Sequence, residues 1–367
     1  MKVCLICVEI FAWGKMGGFG SATRTIARSL KTRGLDVCVV VPRRRDQKEV
    51  EVLDNFTVYS YPRHDPFYAR TIFKECDADI YHSQEPSFAT YLAMRSMPEK
   101  KHVVTFQDTR VLSDWLTELT HPSRNKLQVL SNILFEDNPI VRGCVKKADA
   151  LCAAADLVIN KAHKKYKLDR APRFMPNPVE VPEFVQKSAT PTVCFIGRWD
   201  RVKRPELFLQ LAAKMPDINF IATGSAQDKE VDARIRNKYK HVPNLEMTGF
   251  IDQFTSDRLT KILSKSWIMV NTSAKEALPI SFEEAAAHRC AIVSSVDPDG
   301  FTSRFGKVVD NEDYSAGIRY LLDDDRWRVC GERGYEFVNK HVSLDIVITQ
   351  HITLYENLLG SNTGTVG

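Results

Sequence analysis

The chain has 367 residues, 44% of them hydrophobic and 26% charged, and a formal net charge of +5. This composition is typical of a globular protein and excludes a disordered, collagen-like or disulfide-stapled chain. The length predicts two domains, and no apolar run approaches the roughly 20 residues that span a bilayer. The first residues, MKVCLICVEIF, predict a buried strand instead of a signal peptide, and the nine cysteines lie mostly in apolar segments. We therefore expect a cytoplasmic protein.

Apolar runs of strand length alternate with helical patterns along the chain. The first series contains VCLICV, a helix near residues 19–33, VCVVV, FTVYSY, DIYH and HVVTF. After the proline-bearing stretch 176–191, a second series contains TVCFIG, INFIAT, LEMTGF, WIMV and AIVSS, and the pattern becomes helical after Asp310. The alternation predicts two doubly wound α/β units with parallel sheets in tandem.

The loops that follow strands are the first candidates for a ligand site, because ligands of open α/β sheets bind at the carboxyl ends of strands. The loop after the first strand contains Gly17 and Gly18 and leads into a helix. Its free N–H groups favour an anion or an electron-rich hydroxyl, although a simple tight turn explains the pattern equally well.

The strand TVCFIG leads into the basic sequence GRWDRVKRP, in which a proline begins a helix. Arg198 and Lys203 are five residues apart and can project a guanidinium and an ammonium toward one phosphate group. This spacing predicts a diphosphate ligand, with an exposed basic turn as the alternative. We expect Arg201 and Arg204 to be solvated.

Two glutamates follow the strand WIMV, one in a loop and one on the next helix. Glu276 and Glu284 are placed to accept hydrogen bonds from pairs of hydroxyls, one on a sugar ring and one on a ribose. The helix start between them should face the same ligand with its positive end, and it comprises Ala277, Leu278, Pro279 and Ile280. We expect Glu283 to be an exposed neighbour.

Taken in order, several segments resemble the retaining glycosyltransferases of family 4. They are Gly17-Gly18 with RGLDVCVVVP, DIYHSQEP, PNPVEVP, GRWDRVKRPELFL, MTGF, EALPISFEEAAA with AIVSS, and GERGYEFV. The resemblance implies the GT-B fold, in which two Rossmann-like domains face a central cleft. It implies that Arg198 and Lys203 bind the diphosphate, that Glu276 binds the donor sugar, and that Glu284 binds the ribose.

The resemblance also implies the domain organisation. We expect an N-terminal acceptor domain over residues 1–178 and a C-terminal nucleotide-sugar domain over residues 179–343. A terminal helix near 344–360 should cross back to the first domain, and residues 361–367 should form a disordered tail.

The chain departs from the family pattern on the acceptor side. Many members carry a histidine after the fifth strand, where this chain has Gln107 followed by Asp108. Gln107 cannot titrate, but its amide can donate to a sugar hydroxyl, and Asp108 can bind an acceptor. His82 is a further candidate on the sugar side, although such a residue more often caps a strand.

Together with these features, the resemblance implies a retaining, metal-independent transfer of a hexosyl unit from a nucleoside-diphosphate sugar to a hydroxyl acceptor, with no cofactor. Cations take the place of a metal, and no Asp-x-Asp pair ends a predicted strand in the first half. The alternatives are a non-catalytic sugar-nucleotide-binding subunit and an epimerase or phosphorylase on the same fold. Neither a nicotinamide fingerprint nor a nucleic-acid motif is present.

Charge is unevenly divided between the halves. Residues 1–180 contain 28 Lys and Arg against 21 Asp and Glu, whereas residues 181–367 contain 23 against 25. Arg24, Arg28 and Lys31 should share one helix face, and further basic residues lie at 43–45 and 161–167. An apolar stripe over residues 112–135 is typical of core packing, with a membrane-facing acceptor groove as the alternative. The acceptor is then lipid-linked or anionic, and the protein is peripheral on the inner membrane face.

Overall fold

The computed structural model describes residues 1–14, 17–44, 46–120 and 126–360. The chain forms two compact units: unit 1 comprises Met1–Pro178 and the chain from Leu344 onward, and unit 2 comprises Val179–Ser343. The expected disordered tail over 361–367 lies outside the described residues.

Unit 1 is built on a sheet of eight strands. They are β1 Lys2–Ile6, β2 Asp36–Pro42, β3 Val50–Leu53, β4 Phe56–Tyr61, β5 Ile80–Ser83, β6 Lys101–Phe106, β7 Ala150–Ala153 and β8 Arg173–Phe174. Their order is β3-β4-β2-β1-β5-β6-β7-β8, and every pair is parallel except β3 with β4. The predicted parallel sheet is confirmed, while the antiparallel edge strand β3 had no counterpart in the predicted series.

The described residues of unit 1 form seven α-helices before the boundary with unit 2. They are α1 Gly18–Thr32, α2 Ala69–Cys76, α3 Phe88–Ser96, α4 Leu112–Thr120, α5 Lys126–Glu136, α6 Pro139–Val145 and α7 Asp156–Tyr166. Side chains of β1 alternate between two cores: Val3, Leu5 and Cys7 enter one, and Cys4 and Ile6 enter the other. The sheet is therefore buried on both faces, as a parallel doubly wound unit requires.

Unit 2 has a sheet of six parallel strands in the order β11-β10-β9-β12-β13-β14. The strands are β9 Thr192–Ile196, β10 Asn219–Thr223, β11 Leu245–Gly249, β12 Ile268–Asn271, β13 Ala291–Ser294 and β14 Gly306–Val308. The helices are α8 Pro205–Lys214, α9 Lys229–Tyr239, α10 Arg258–Lys265, α11 Ile280–Ala287, α12 Phe301–Phe305, α13 Tyr314–Leu322 and α14 Arg326–His341.

The last helix, α15 Leu344–Gly360, belongs to unit 1. Its Ile348, Leu354 and Tyr355 are buried in the same core as Val3 and Leu5. The apolar face of α15 therefore completes the core over one face of the β1 region.

Strand order places two loops of unit 2 side by side. The order reverses at β9, whose neighbours are β10 on one side and β12 on the other. Ligands of doubly wound sheets bind at such a reversal, beyond the carboxyl ends of the strands. The loops that follow β9 and β12 are the two that carry Arg198, Lys203 and Glu276.

Candidate active site

The loop after β9 is shaped by Asp200. Its Oδ1 accepts hydrogen bonds from the backbone N–H groups of Val202 at 3.0 Å and Lys203 at 2.9 Å. Its Oδ2 lies 3.3 Å from a guanidinium nitrogen of Arg198. Asp200 therefore fixes the turn that presents both cations. Sequence reasoning missed it, although an aspartate two residues before a free backbone N–H is the usual signature of such a turn.

Lys203 forms an ion pair with Glu276 across the two loops. The Nδ2 of Asn271 also donates to Glu276 Oε1 at 3.2 Å, which orients the carboxylate from the end of β12. The Oγ1 of Thr272 donates to the Lys203 carbonyl at 2.7 Å and so joins the loops through the backbone. The structure thus brings together Lys203 and Glu276, which lie 73 residues apart in the sequence.

The segment after Glu276 leads directly into α11. Residues 277–280 are partly exposed, and Pro279 occupies the N-cap position without a side-chain cap. Because proline has no side-chain acceptor, the first N–H groups of α11 remain available to a ligand. The helix start therefore adds partial positive charge beside the Lys203–Glu276 pair.

Glu284 lies one turn into α11 and is partly buried. Burial raises the pKa of its carboxyl to about 7, and the nearby negative charge of Glu180 acts in the same direction. The Nε2 of Gln253 donates to its Oε1 at 3.5 Å. Glu284 therefore changes charge near neutral pH.

Two expectations for neighbouring residues in unit 2 are wrong. Glu283 is 2% exposed instead of solvated, because α11 packs against the core around most of its circumference. Burial raises the pKa of Glu283 well above its ordinary value. Arg204 is also not solvated: its Nε donates to the Thr272 carbonyl at 2.7 Å, and it pairs with Glu312. Arg201 is exposed, as expected.

The glycine loop of unit 1 holds a carboxylate that the sequence analysis did not single out. Gly17 is the N-cap of α1 and Gly18 is its first residue. A Cβ atom on Gly17 would lie 1.7 Å from Glu9 Oε1, so glycine is required for Glu9 to approach the helix start. The N-terminal end of α1 is thus associated with an acidic side chain.

Gln107 forms a two-way amide pair with Asn177, the residue before Pro178. Gln107 Nε2 donates to Asn177 Oδ1 at 3.0 Å, and Asn177 Nδ2 donates to Gln107 Oε1 at 2.9 Å. The Glu85 carboxylate accepts from the backbone N–H groups of Gln107 at 2.7 Å and Asp108 at 3.4 Å. This segment is held by Glu85 and Asn177, neither of which the sequence analysis named as a site residue.

The expectation that His82 faces a sugar is corrected. His82 has no exposed surface, and its ring nitrogens contact Tyr355 Oη and Thr105 Oγ1, each at 2.7 Å. Burial also lowers its pKa well below the ordinary value, so the ring is neutral. His82 joins β5, β6 and α15 inside unit 1 and leaves no ring nitrogen for a ligand.

The expected basic face of α1 is incomplete. Arg24 is buried, where its guanidinium donates to the Asp54 carboxylate at 2.7 Å and to the Phe11 carbonyl at 2.9 Å. Arg28 is exposed, and Lys31 lies 3.8 Å from Asp36. Of the other basic cluster, Arg43 donates to Ser60 and Glu49, and Arg45 lies outside the described residues.

Core packing accounts for only part of the stripe over residues 112–135. Trp115 is buried, and its Nε1 donates to Asp137 at 2.8 Å. Five leucines, which we call the leucine surface, are instead 52–77% exposed: Leu112, Leu116, Leu127, Leu130 and Leu134. Leu119 and Ile133 are intermediate, and the side chain of Phe135 lies outside the described part of the chain.

Comparisons with known proteins agree with this architecture. Residues 180–337 match the model of the glycosyl transferases group 1, and residues 16–182 match that of glycosyltransferase family 4. N-acetyl-alpha-D-glucosaminyl L-malate synthase of Bacillus anthracis is 20% identical over 394 residues, covering 96% of this chain and 97% of the relative.

Solved structures are similar over nearly the whole chain. Sucrose-phosphate synthase from Thermosynechococcus elongatus has a TM-score of 0.73 at 16% identity, covering 98% of this chain and 99% of that one. HepE of Anabaena, solved with UDP, has a TM-score of 0.71 at 12% identity, covering 97% and 100%. HepE has also been solved with UDP-glucose.

The two family models together account for most of the chain, and the paired doubly wound units define the GT-B fold. The chain belongs to the glycosyltransferases of group 1, family 4, and is a transferase.

Proposed function

We propose that this enzyme transfers a hexosyl unit from a nucleoside-diphosphate sugar to a hydroxyl acceptor, with retention and without a metal ion. The observation that carries the proposal is the joined pair of loops that holds Arg198, Lys203 and Glu276 beside the start of α11. The complexes of the similar HepE with UDP and UDP-glucose support the choice of donor.

The two cations act on the leaving group. When the bond between the anomeric carbon and the diphosphate oxygen breaks, the bonding electrons stay on the diphosphate while the sugar becomes oxocarbenium-like. Arg198, Lys203 and the N–H groups at the start of α11 stabilise that negative charge, as a preorganised electrostatic site does. A diphosphate must compete with Glu276 for Lys203, and Glu276 then turns to the hydroxyls of the donor sugar.

The remaining donor contacts follow from the same helix. Ala277, Leu278 and Ile280 offer backbone N–H groups to the diphosphate, and Pro279 fixes the turn between them. Glu284 accepts hydrogen bonds from the ribose hydroxyls, and Gln253 lies beside it. Gly17 and Gly18 of unit 1 stay predicted donor contacts, supported by the family resemblance.

The acceptor site belongs to unit 1 in this proposal. Asp108 and the second N–H of the Gln107 amide are the groups offered to a hydroxyl acceptor. The proton of that hydroxyl passes to a donor phosphate oxygen on the same face of the sugar, as the family resemblance implies. A histidine is then not needed at position 107.

Metal independence is tested by donor turnover in chelator. With UDP-glucose and excess EDTA, slow hydrolysis should release UDP at a rate within twofold of that with added manganese, because the cations already supply the positive charge. The release is measured by a coupled nucleotide assay, with dialysed enzyme as the reference. A rate that depends on manganese would contradict the proposed cation mechanism.

The titration of Glu284 predicts the pH dependence of donor binding. Its folded-state pKa is about 7, and only the ionised carboxylate accepts two ribose hydroxyls fully. The affinity for UDP-glucose should therefore rise between pH 6 and pH 8, by at most about tenfold per unit below the pKa. Calorimetric titration measures it, and the Glu284→Gln variant should show a flatter profile.

The same shift sets the sign of a stability effect. Because folding raises the pKa of Glu284 above its ordinary 4.5, the free protein loses stability as pH rises from about 4.5 through 7. Glu284→Gln should accordingly have a higher Tm than the wild type at pH 8. An equal or lower Tm would show that the carboxyl is not desolvated.

The leucine surface favours a lipid-linked acceptor. Trp115 and Val129 occupy the buried side of α4 and α5, so the leucines are turned outward. Lys161 and Lys165 of α7 contact Asp114 and Asp137 beside these helices, and Lys164 and Lys167 are exposed nearby in sequence. Apolar side chains next to lysines suit an anionic lipid surface. No helix in the described part of the chain has the length and apolar character to cross a bilayer.

Vesicle co-sedimentation tests this contact. The protein should bind anionic vesicles at low salt, bind neutral vesicles weakly, and dissociate in high salt. Leu127→Glu combined with Leu130→Glu should abolish binding, whereas Val329→Glu on unit 2 is a matched exposed control. No binding to anionic vesicles at low salt would instead assign a soluble acceptor.

A further inference from the structure

Three cysteine thiols meet in unit 1, outside the proposed transfer site. Cys4 lies in the middle of β1, Cys38 is its register partner on β2, and Cys76 is the last residue of α2. All three are buried, and their sulfur atoms lie within 4.8 Å of one another. Cys7 is not part of the group, because it points into the core on the opposite face of the sheet.

The spacing of the sulfurs suits a single bound ion. A thiolate lies about 2.3 Å from a first-row ion such as zinc, so three sulfurs around one ion are about 4 Å apart. The sulfurs of the cluster already lie within 4.8 Å of one another, which is close to that spacing.

The three thiols affect one another's pKa. Hydrogen bonds from the thiols of Cys4 and Cys76 lower the pKa of Cys38, and the positive charge of Lys2 acts in the same direction while Asp36 opposes it. Burial raises the pKa of Cys4. The hydrogen bond between Cys76 and Cys38 raises the pKa of Cys76.

The side chains around the cluster affect which charge of ion is favoured. The neighbours of the cluster include Ile6, Val40, Ile72 and Phe73, all buried apolar side chains. Uncompensated charge in such a core is costly, so a neutral complex is favoured. A monovalent cation that displaces one thiol proton leaves a neutral complex, whereas a divalent cation must displace two protons and prefers a fourth ligand.

We propose that Cys4, Cys38 and Cys76 form a three-sulfur site for a soft monovalent cation, with Cu(I) as the physiological representative. Thiolate and thiol sulfurs are soft donors, which favour Cu(I), zinc and iron–sulfur clusters over hard cations. Binding adds the ion to existing sulfurs and involves no oxidation or reduction. Lys2 and Asp36, whose charges affect the pKa of Cys38, lie at the amino ends of β1 and β2. Gly17 and Gly18, which are predicted donor contacts, instead follow the carboxyl end of β1. Bound Cu(I) should therefore change stability and leave transfer unchanged.

Anaerobic competition between the full chain and the chromophoric chelator bicinchoninate measures Cu(I) binding. The wild type should bind Cu(I) through this cluster and show a higher Tm with one equivalent, since a ligand of the folded state stabilises it. Cys38→Ser and Cys76→Ser should each lose one equivalent. Cys7→Ser, directly after β1 and on the other face of the sheet, should retain it. Retention of full binding by Cys38→Ser would overturn the proposal.

A measurement on the wild type covers the case in which the serine variants fail to fold. Copper K-edge absorption of the one-equivalent complex should show three sulfur neighbours. Two sulfurs would assign the ion elsewhere, for example to Cys194 and Cys290 of unit 2, which interact with each other. Failure of the wild type to compete with the chelator would also overturn the proposal. Donor hydrolysis should stay within twofold of the metal-free rate.

Discussion

Alanine at position 198 or 203 is expected to lower kcat for donor turnover by about 10²–10³-fold, the usual effect of removing one preorganised donor from developing negative charge. Arg198 is paired with Asp200 and the Lys203 ammonium with Glu276, so each cation is already positioned before the leaving group departs. The effect should fall on kcat more than on the affinity for a nucleoside diphosphate.

A matched control lies in the same loop. Arg201 is exposed and carries the same charge as Arg198, so Arg201→Ala removes one cation without touching the proposed diphosphate site. Its kcat should stay within about twofold of the wild type. Circular dichroism and Tm show whether each variant is folded. Turnover like that of the wild type in both Arg198→Ala and Lys203→Ala would remove the central part of the mechanism.

Substitutions of the two glutamates should have different effects on kcat and on UDP binding. Glu276→Gln is expected to lower kcat by about 10²-fold and to leave UDP affinity unchanged or slightly increased, because Lys203 loses its competing carboxylate. Glu284→Ala is expected to weaken UDP binding by about 10–150-fold, the effect of losing a hydrogen bond to a charged group.

Steady-state kinetics with UDP-glucose and calorimetry with UDP measure the two effects. If Glu284→Ala binds UDP like the wild type, the ribose assignment is wrong. If Glu276→Gln instead raises Kd for UDP and leaves kcat unchanged, Glu276 contacts the nucleotide and not the sugar.

Periodicity predicted the strands well because buried parallel strands are continuous apolar runs. VCLICV, VCVVV, HVVTF and WIMV all became central strands with buried residues on both faces. The edge strand β3 was missed because its sequence, VEVL, is short and alternates in exposure. The loops after β9 and β12 could be singled out because each follows a predicted strand and carries charged residues, and the family resemblance supplied the roles of those residues.

The main feature that the sequence failed to predict was the burial of charged and titratable side chains. Arg24 lies on a regular helix face in the sequence, but its distant partner Asp54 allows it to be buried. Glu283 and Glu284 are neighbours on α11, and only tertiary packing makes Glu283 buried and leaves Glu284 partly exposed. His82 depends on Thr105 and Tyr355, partners 23 and 273 residues away. Such long-range pairings leave no local signal in the sequence.

The residues that orient the site side chains could not be predicted from the sequence either. Asn177 is recognisable only once β6 brings Gln107 beside it, and Asn271 only once Glu276 folds back onto β12. Each lies beside a predicted site residue only in the folded chain. The sequence therefore predicted Gln107 and Glu276 but not the asparagines that orient them.

Carbon-13 NMR of the reaction with UDP-glucose labelled at the anomeric carbon tests the central claim most directly. The proposed function predicts that the sugar-phosphate signal disappears in EDTA, and that the first-formed product carries the label in the α configuration of the donor. Persistence of the sugar-phosphate signal while UDP-glucose is tightly bound, or a first-formed product in the β configuration, would contradict it.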